Sequence, residues 1–184
     1  MSKVFEAHGL TLFDVEELPT HGGSLRIFAR HTEDESKPTT ERAQEMYERE
    51  RGAGYHRLDT YLSYAESVKQ AKWELVEFLI EQKRAGKRIA AYGAPAKGNT
   101  LLNYCGIRTD LIEFTADLSP HKQGRFLPGT HIPILAPEAI AEAKPDLVLI
   151  LPWNLKDEIV EQLSFVRDWG GQFVVRAPEL AVLP

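Results

Sequence analysis

The stretch that most constrains this chain is residues 88–106, which read RIAAYGAPAKGNTLLNYCG. It begins with a short apolar run at residues 89–92, turns at Gly93 through small residues, and continues in the apolar pattern of a helix. A buried strand, a glycine turn and a helix start, in that order, are how α/β folds present backbone N–H groups to a phosphate. The stretch therefore predicts a strand, a turn and a helix with a candidate anion site.

Three features of the turn point to a ligand, although none is decisive. Gly93 and Gly98 would let a ligand approach the backbone closely, and Lys97 adds a cation. The pattern is neither G-x-G-x-x-G nor G-x-x-x-x-G-K-[ST]. An ordinary strand-to-helix turn that binds nothing stays open as the alternative. Asn99 or Thr100 is predicted to cap the helix.

Beyond Gly86, apolar runs of strand length alternate with helical patterns. Alternation of this kind is typical of a parallel, doubly wound sheet, and the run DLVLIL fits a strand that is covered on both faces. We predict an α/β, Rossmann-like doubly wound parallel sheet with strands at residues 89–92, 111–116, 132–134, 146–151 and 173–175 and helices at residues 99–106, 137–143 and 155–169.

The residues that precede this sheet follow different patterns. Residues 12–18 and 24–31 predict two strands joined by PTHGG, which favours an antiparallel pair. A polar linker, a charged helix at residues 41–51 and a long amphipathic helix at residues 56–85 follow, the last with Leu58, Leu75 and Leu79 at helical spacing. We predict a strand pair at residues 1–31, a linker and helical segment at residues 32–86, and the doubly wound domain at residues 87–184.

Composition excludes several classes of function. The formal net charge of -5 argues against a nucleic-acid partner. No apolar run reaches membrane-spanning length and the start of the chain lacks a secretory pattern, so we expect no membrane association and a cytoplasmic location. Cys105 is the single cysteine, and no metal-ligand spacing stands out.

Polar side chains follow three of the predicted strands, where ligands bind in such sheets. Asp117 would end the second strand, either as a ribose ligand or as the cap of the following turn, and both alternatives stay open. Trp153 would stack on a base or sugar, or plug the rim of the core. The mixture suits a sugar or nucleotide with a diphosphate. The candidate binding residues are Gly93, Lys97, Gly98, Asn99, Thr100, Asp117, Lys122, Gln123, Trp153 and Asn154.

His21 lies in a glycine-rich loop and is a candidate acid or base. A turn histidine with no chemical task is the alternative, because no partner residue is evident in the sequence.

Four runs of the sequence resemble one known family. ELPTHGGSLRIF, AYGAPAKGNTLLNYCGI, DLSPHKQGRFLPGTHIPI and DLVLILPWN occur in order and look like the C-terminal region of sugar C-methyltransferases. Those enzymes use S-adenosylmethionine to methylate a carbon of nucleotide-linked deoxysugars. The resemblance implies that residues 87–184 help to hold the sugar nucleotide, most firmly through residues 93–100.

The family enzymes also contain a zinc domain and a donor-binding methyltransferase domain, and the resemblance aligns residues 3–31 with the last strands of the latter. The zinc cysteines, the donor loop and the main catalytic base have no counterpart in this sequence, so we expect no cofactor to bind this chain alone. Whether it is an enzyme by itself stays open. An inactive assembly module that pairs with a methyltransferase domain or a second copy through residues 12–31 is the alternative. A nucleotide-dependent oxidoreductase is a weaker one.

Overall fold

The structure is a computed structural model of residues 1–184, and it describes all of them except the side chain of His21. The chain forms two compact units, Met1–Ala65 and Glu66–Pro184, with the boundary inside the long helix α3 (Leu58–Arg84). The predicted division at residues 31 and 86 stays a prediction.

The first unit contains an antiparallel strand pair, as the sequence predicted. Its register runs from Leu10 opposite His31 to Leu18 opposite Ser24, with a bulge between Leu12 and Asp14. A short 3-10 helix joins the strands. The elements of this unit are α1 (Ser2–Glu6), β1 (Leu10–Leu18), the 3-10 helix (Thr20–Gly22), β2 (Ser24–His31) and α2 (Glu41–Gly52).

Helix α2 packs on β1 of the strand pair. Thr40 caps the helix, and its backbone N–H donates to Phe13 O at 2.8 Å. The Arg42 guanidinium and the Thr40 hydroxyl both donate to the Asp14 carboxylate, at 2.5 Å each. These hydrogen bonds lower the pKa of Asp14. The start of α2 is therefore fastened to β1 by backbone and side chains together.

Helix α3 is the long helix of the sequence prediction, but its apolar face is buried only in its second half. Leu75 and Leu79 are fully buried, whereas Leu58 and Leu62 are exposed. The leucines that share helical spacing are therefore not all buried, since Leu58 in the first turn is exposed. Helical periodicity identifies an apolar face, but it does not show whether another element covers that face.

The second unit is the predicted doubly wound sheet. Its six strands lie in the order β5 (Ile134–Leu135), β4 (Thr115–Ala116), β3 (Ile89–Tyr92), β6 (Leu147–Ile150), β7 (Gln172–Val175) and β8 (Ala181–Leu183). All neighbours are parallel except β7 and β8. The α/β class is therefore confirmed. The elements after α3 are β3 (Ile89–Tyr92), α4 (Ala96–Cys105), β4 (Thr115–Ala116), β5 (Ile134–Leu135), α5 (Glu138–Ala143), β6 (Leu147–Ile150), α6 (Lys156–Gln162), β7 (Gln172–Val175) and β8 (Ala181–Leu183).

Several predicted boundaries are wrong. The strand expected at residues 111–116 is only β4, because the N–H groups of Leu111 and Ile112 turn back to Arg108 O. The helix expected at residues 155–169 divides into α6 and a 3-10 helix, Ser164–Trp169. The short run that forms β8 was not predicted as a strand.

The sheet of the second unit is buried on both faces. Ile89 and Ala91 of β3 pack on one side with Leu75 of α3 and Leu102 of α4. On the other side, Ala90 and Tyr92 belong to a second cluster with residues of α5 and α6. Side chains of a strand alternate between faces, so one short apolar strand supports both clusters.

Helix α4 packs closely on the end of β6 through Gly98. A Cβ atom on Gly98 would stand 2.7 Å from Leu151 Cβ, a distance that packed carbon atoms do not reach. The absence of a side chain at Gly98 is therefore what allows this helix to lie against the strand.

We predict that Gly98→Ala lowers the free energy of unfolding by about 1–3 kcal/mol, the usual cost of overpacking a core. Gly52→Ala is the matched control, because Gly52 is also in a helix but its Cβ would meet nothing within 4 Å. Chemical unfolding followed by circular dichroism measures both variants. A Gly98→Ala protein as stable as the Gly52→Ala protein would contradict the close contact.

Candidate functional site

Three loops meet where β3, β4 and β6 end. Strand β3 lies between β4 and β6, and the chain winds to opposite sides of the sheet from this position. Such a switch point opens a crevice at the carboxyl ends of the strands, and ligands of open α/β sheets bind there. Hydrogen bonds join Ala94 to Asp117 and Lys97 to Asn154, so the structure brings these loops together as the sequence predicted.

Helix α4 begins earlier than the sequence predicted. Its N-cap is Pro95 and its first residue is Ala96, so Asn99 and Thr100 do not cap it. The Thr100 hydroxyl instead donates to Ala96 O at 3.0 Å within the helix. Proline at the cap has no side-chain acceptor, but its fixed φ of -79° with ψ of 155° leads the chain directly into the first turn.

The first amides of α4 have no acceptor inside the helix and no side-chain cap. The first intrahelical bond of the turn runs from Asn99 N–H to Pro95 O at 3.0 Å. The N–H groups of Ala96, Lys97 and Gly98 precede that bond and have no acceptor inside the helix. They also stand at the positive end of the helix dipole, which favours an anion.

The loop between β3 and α4 is held tightly. Gly93 has φ +85°, and a Cβ there would lie 2.6 Å from Pro152 Cδ. Its carbonyl accepts from the buried Thr115 hydroxyl at 2.7 Å, and its N–H donates to Ala116 O at 2.6 Å. Sequence reasoning missed Thr115 as a part of the site, although a threonine within a buried strand is a usable signal.

Lys97 links α4 to the loop after β6. Its ammonium donates to Asn154 Oδ1 and lies 4.6 Å from the centre of the Trp153 ring. Trp153 is half-buried in a 3-10 helix, Trp153–Leu155. The structure therefore brings these three candidate residues together, with an aromatic face and an amide beside the cation.

Asp117 is buried, with 8% of its surface exposed, and its carboxylate binds groups of the protein. It accepts from Ser119 N–H at 2.8 Å, from Ala94 N–H at 2.7 Å and from Lys122 Nζ at 3.1 Å. Burial raises the pKa of Asp117, but these hydrogen bonds outweigh it and hold the pKa below its ordinary value. Asp117 thus caps its turn, while a contact with ribose stays a prediction.

Charge at this edge is unevenly compensated. Lys122 pairs with Asp117, and Gln123 Nε2 donates to Asp117 O at 2.9 Å. Lys97 has a neutral amide and an aromatic ring as partners. A cation and three helix-end amides together form an arrangement that can bind a phosphate group.

Other sequence candidates lie outside this arrangement. The side chain of His21 is outside the described part of the structure. Among the residues that are described, no three His, Cys, Asp or Glu side chains converge as metal ligands do. In the same residues, no helix combines the length and the hydropathy needed to cross a membrane.

Comparison with known proteins gives a family match and a curated relative. Residues 19–178 match the family model described as the C-methyltransferase C-terminal domain. The C-methyltransferase NovU of Streptomyces niveus is 37% identical over 182 residues, which are 98% of this chain and 43% of that relative. The chain therefore spans less than half the length of this relative.

The family match begins just after β1 and covers β2, the long helix and every strand of the doubly wound sheet except β8, and it confirms the resemblance seen in the four sequence runs. This chain belongs to the C-methyltransferase C-terminal domain family.

Proposed function

We propose that this chain is the substrate-binding part of an S-adenosylmethionine-dependent sugar C-methyltransferase, and that residues 87–184 bind a nucleoside diphosphate sugar. The observation that carries the proposal is the start of α4, where no side chain caps the helix and where Lys97 lies, at the switch point of the sheet. Family membership supports C-methylation as the reaction class. We also propose a cytoplasmic location, as expected from the sequence.

The diphosphate is the part of the ligand for which the geometry argues most directly. The N–H groups at the start of α4 would donate to the diphosphate oxygens. The Lys97 ammonium would give up its bond to Asn154 and pair with the diphosphate instead. Gly93 and Gly98 contribute through packing rather than through open space for the ligand, because a Cβ at either position would meet Pro152 or Leu151. Charge-assisted hydrogen bonds of this kind are short and directional, so they would fix the position of the attached sugar.

The remaining candidates divide by their place around the crevice. Trp153 and Asn154, on the loop after β6, would contact the base or the sugar once Lys97 moves to the phosphate. Asn99 and Thr100 lie in the second turn of α4, and Gln123 lies beside Asp117. Contacts of these three residues with substrate stay predictions.

The role of the chain in the reaction would be orientation. Holding a reactant in one geometry lowers the barrier to its reaction with a second bound group. The switch-point residues do not suit S-adenosylmethionine, because the Lys97 ammonium would repel its positively charged sulfonium. We therefore propose that this chain alone does not bind the methyl donor.

We predict that Lys97→Ala weakens binding of thymidine diphosphate glucose by about 1.5–3 kcal/mol, the value of one charged hydrogen bond. Lys87→Ala is the matched control, because Lys87 precedes β3 at the opposite end of that strand and pairs with Asp146. Calorimetric titration measures both affinities. Equal affinities for the two variants would remove Lys97 from the site, and no binding by the wild-type chain would refute the proposed ligand.

A second function, assembly, is favoured by the strand pair in the first unit. The sheet of β1 and β2 has two strands, so each has an outer edge that no other strand of the described residues covers. Leu25 of β2 is 50% exposed. Since two-stranded sheets are marginal alone, we propose that this pair adds to the sheet of a methyltransferase domain.

For assembly we expect backbone amides on the outer edge of β2 to exchange quickly in the isolated chain, because no strand covers them. Hydrogen exchange across a concentration series provides the measurement. Protection of that edge that rises with concentration would instead show pairing between two copies. Protection that is strong at every concentration would contradict an open edge.

A further inference from the structure

The ion pair of Asp117 and Lys122 binds Ala94, in the loop between β3 and α4, through both its backbone N–H and its carbonyl. Asp117 Oδ2 accepts from Ala94 N–H at 2.7 Å, and Lys122 Nζ donates to Ala94 O at 3.1 Å. The same Nζ donates to Asp117 Oδ2 at 3.1 Å. The three bonds close a ring around the Ala94 backbone.

Ala94 has a position that needs such support. It follows Gly93, where the chain leaves β3 with a φ of +85°, and it precedes Pro95, the N-cap of α4. Neither the sheet nor the helix bonds its N–H or its carbonyl. A buried backbone group without a partner is costly, so the side chains of the next loop satisfy both groups.

The ring is itself fixed from behind. Asp117 Oδ1 accepts from Ser119 N–H at 2.8 Å, and Asp117 O accepts from Gln123 Nε2 at 2.9 Å. Lys122 has three donor hydrogens and uses two acceptors here. The charges of Asp117 and Lys122 are opposite, so the pair adds no net charge to the site. Its effect is to fix the orientation of the Ala94 backbone.

We propose that Asp117 and Lys122 are positioning residues: they clamp Ala94 and thereby hold the first turn of α4 in the conformation that receives the diphosphate. This rests on the proposed function. Lys122, one of the candidate binding residues of the sequence, thus acts on the ligand through Ala94 and does not contact the phosphate directly.

The two roles predict opposite effects for Asp117→Asn. If Lys122 contacted phosphate directly, removing the competing carboxylate would free the lysine and tighten binding of thymidine diphosphate glucose. With the clamp, the neutral amide removes the charge from both bonds that Asp117 Oδ2 accepts, and its single oxygen cannot accept from the Ala94 and Ser119 N–H groups together, so binding becomes about tenfold weaker.

Controls separate the clamp from general effects of charge and folding. Asp157→Asn makes the same charge change in the first turn of α6, near the same edge of the sheet. This variant should bind thymidine diphosphate glucose with unchanged or slightly higher affinity. Lys122→Met should weaken binding as Asp117→Asn does, and Lys122→Arg should restore most of it. Tighter binding by Asp117→Asn would overturn the proposal.

A measurement on the ligand-free protein tests the clamp without the ligand. The Ala94 N–H should exchange with solvent at least about tenfold faster in Asp117→Asn and in Lys122→Met than in the wild type, because one charged hydrogen bond is lost. Asp157→Asn should leave this rate unchanged. Unchanged exchange in both clamp variants would overturn the proposal. Failure of the wild-type chain to bind the probe would refute the proposed function, and the exchange rates would then decide the clamp alone.

Discussion

The contact between Gly93 and Pro152 is the constraint on which the candidate site depends. It brings the loops after β3 and β6 so close that a Cβ at Gly93 would overlap the proline ring. Because β3 and β6 are also paired along their whole length, from Ile89 with Leu147 to Tyr92 with Ile150, their ends are fixed relative to each other. The start of α4, Lys97 and Asn154 take their positions from this junction.

Much of the second unit could be predicted from the sequence because short apolar runs and glycine turns alternate clearly. The start of α4 could not, since the capping preferences of Asn99 and Thr100 compete with the fixed backbone of Pro95, and the proline determines the start. The role of Lys122 was also beyond pattern reasoning. Its partners are a backbone carbonyl 28 residues away and an aspartate that looked equally suited to ribose.

The first unit shows a different limit of sequence reasoning. The strand pair was predictable from its turn and its apolar residues, but the attachment of α2 through Asp14 and Arg42 was not, because ion pairs between distant residues leave no periodic signal. The exposure of the first half of α3 was also not predictable, because helical periodicity does not show whether another element covers an apolar face. A pattern shows which residues are apolar, whereas only the fold shows which of them other elements cover.

The central claim is that a diphosphate binds at the start of α4. A crystal structure of this chain with thymidine diphosphate glucose would test it most directly. We expect phosphate oxygens within hydrogen-bond distance of the N–H groups of Ala96, Lys97 and Gly98, with the Lys97 ammonium turned from Asn154 to the phosphate. A diphosphate bound away from α4, with Lys97 still on Asn154 and Trp153, would contradict it.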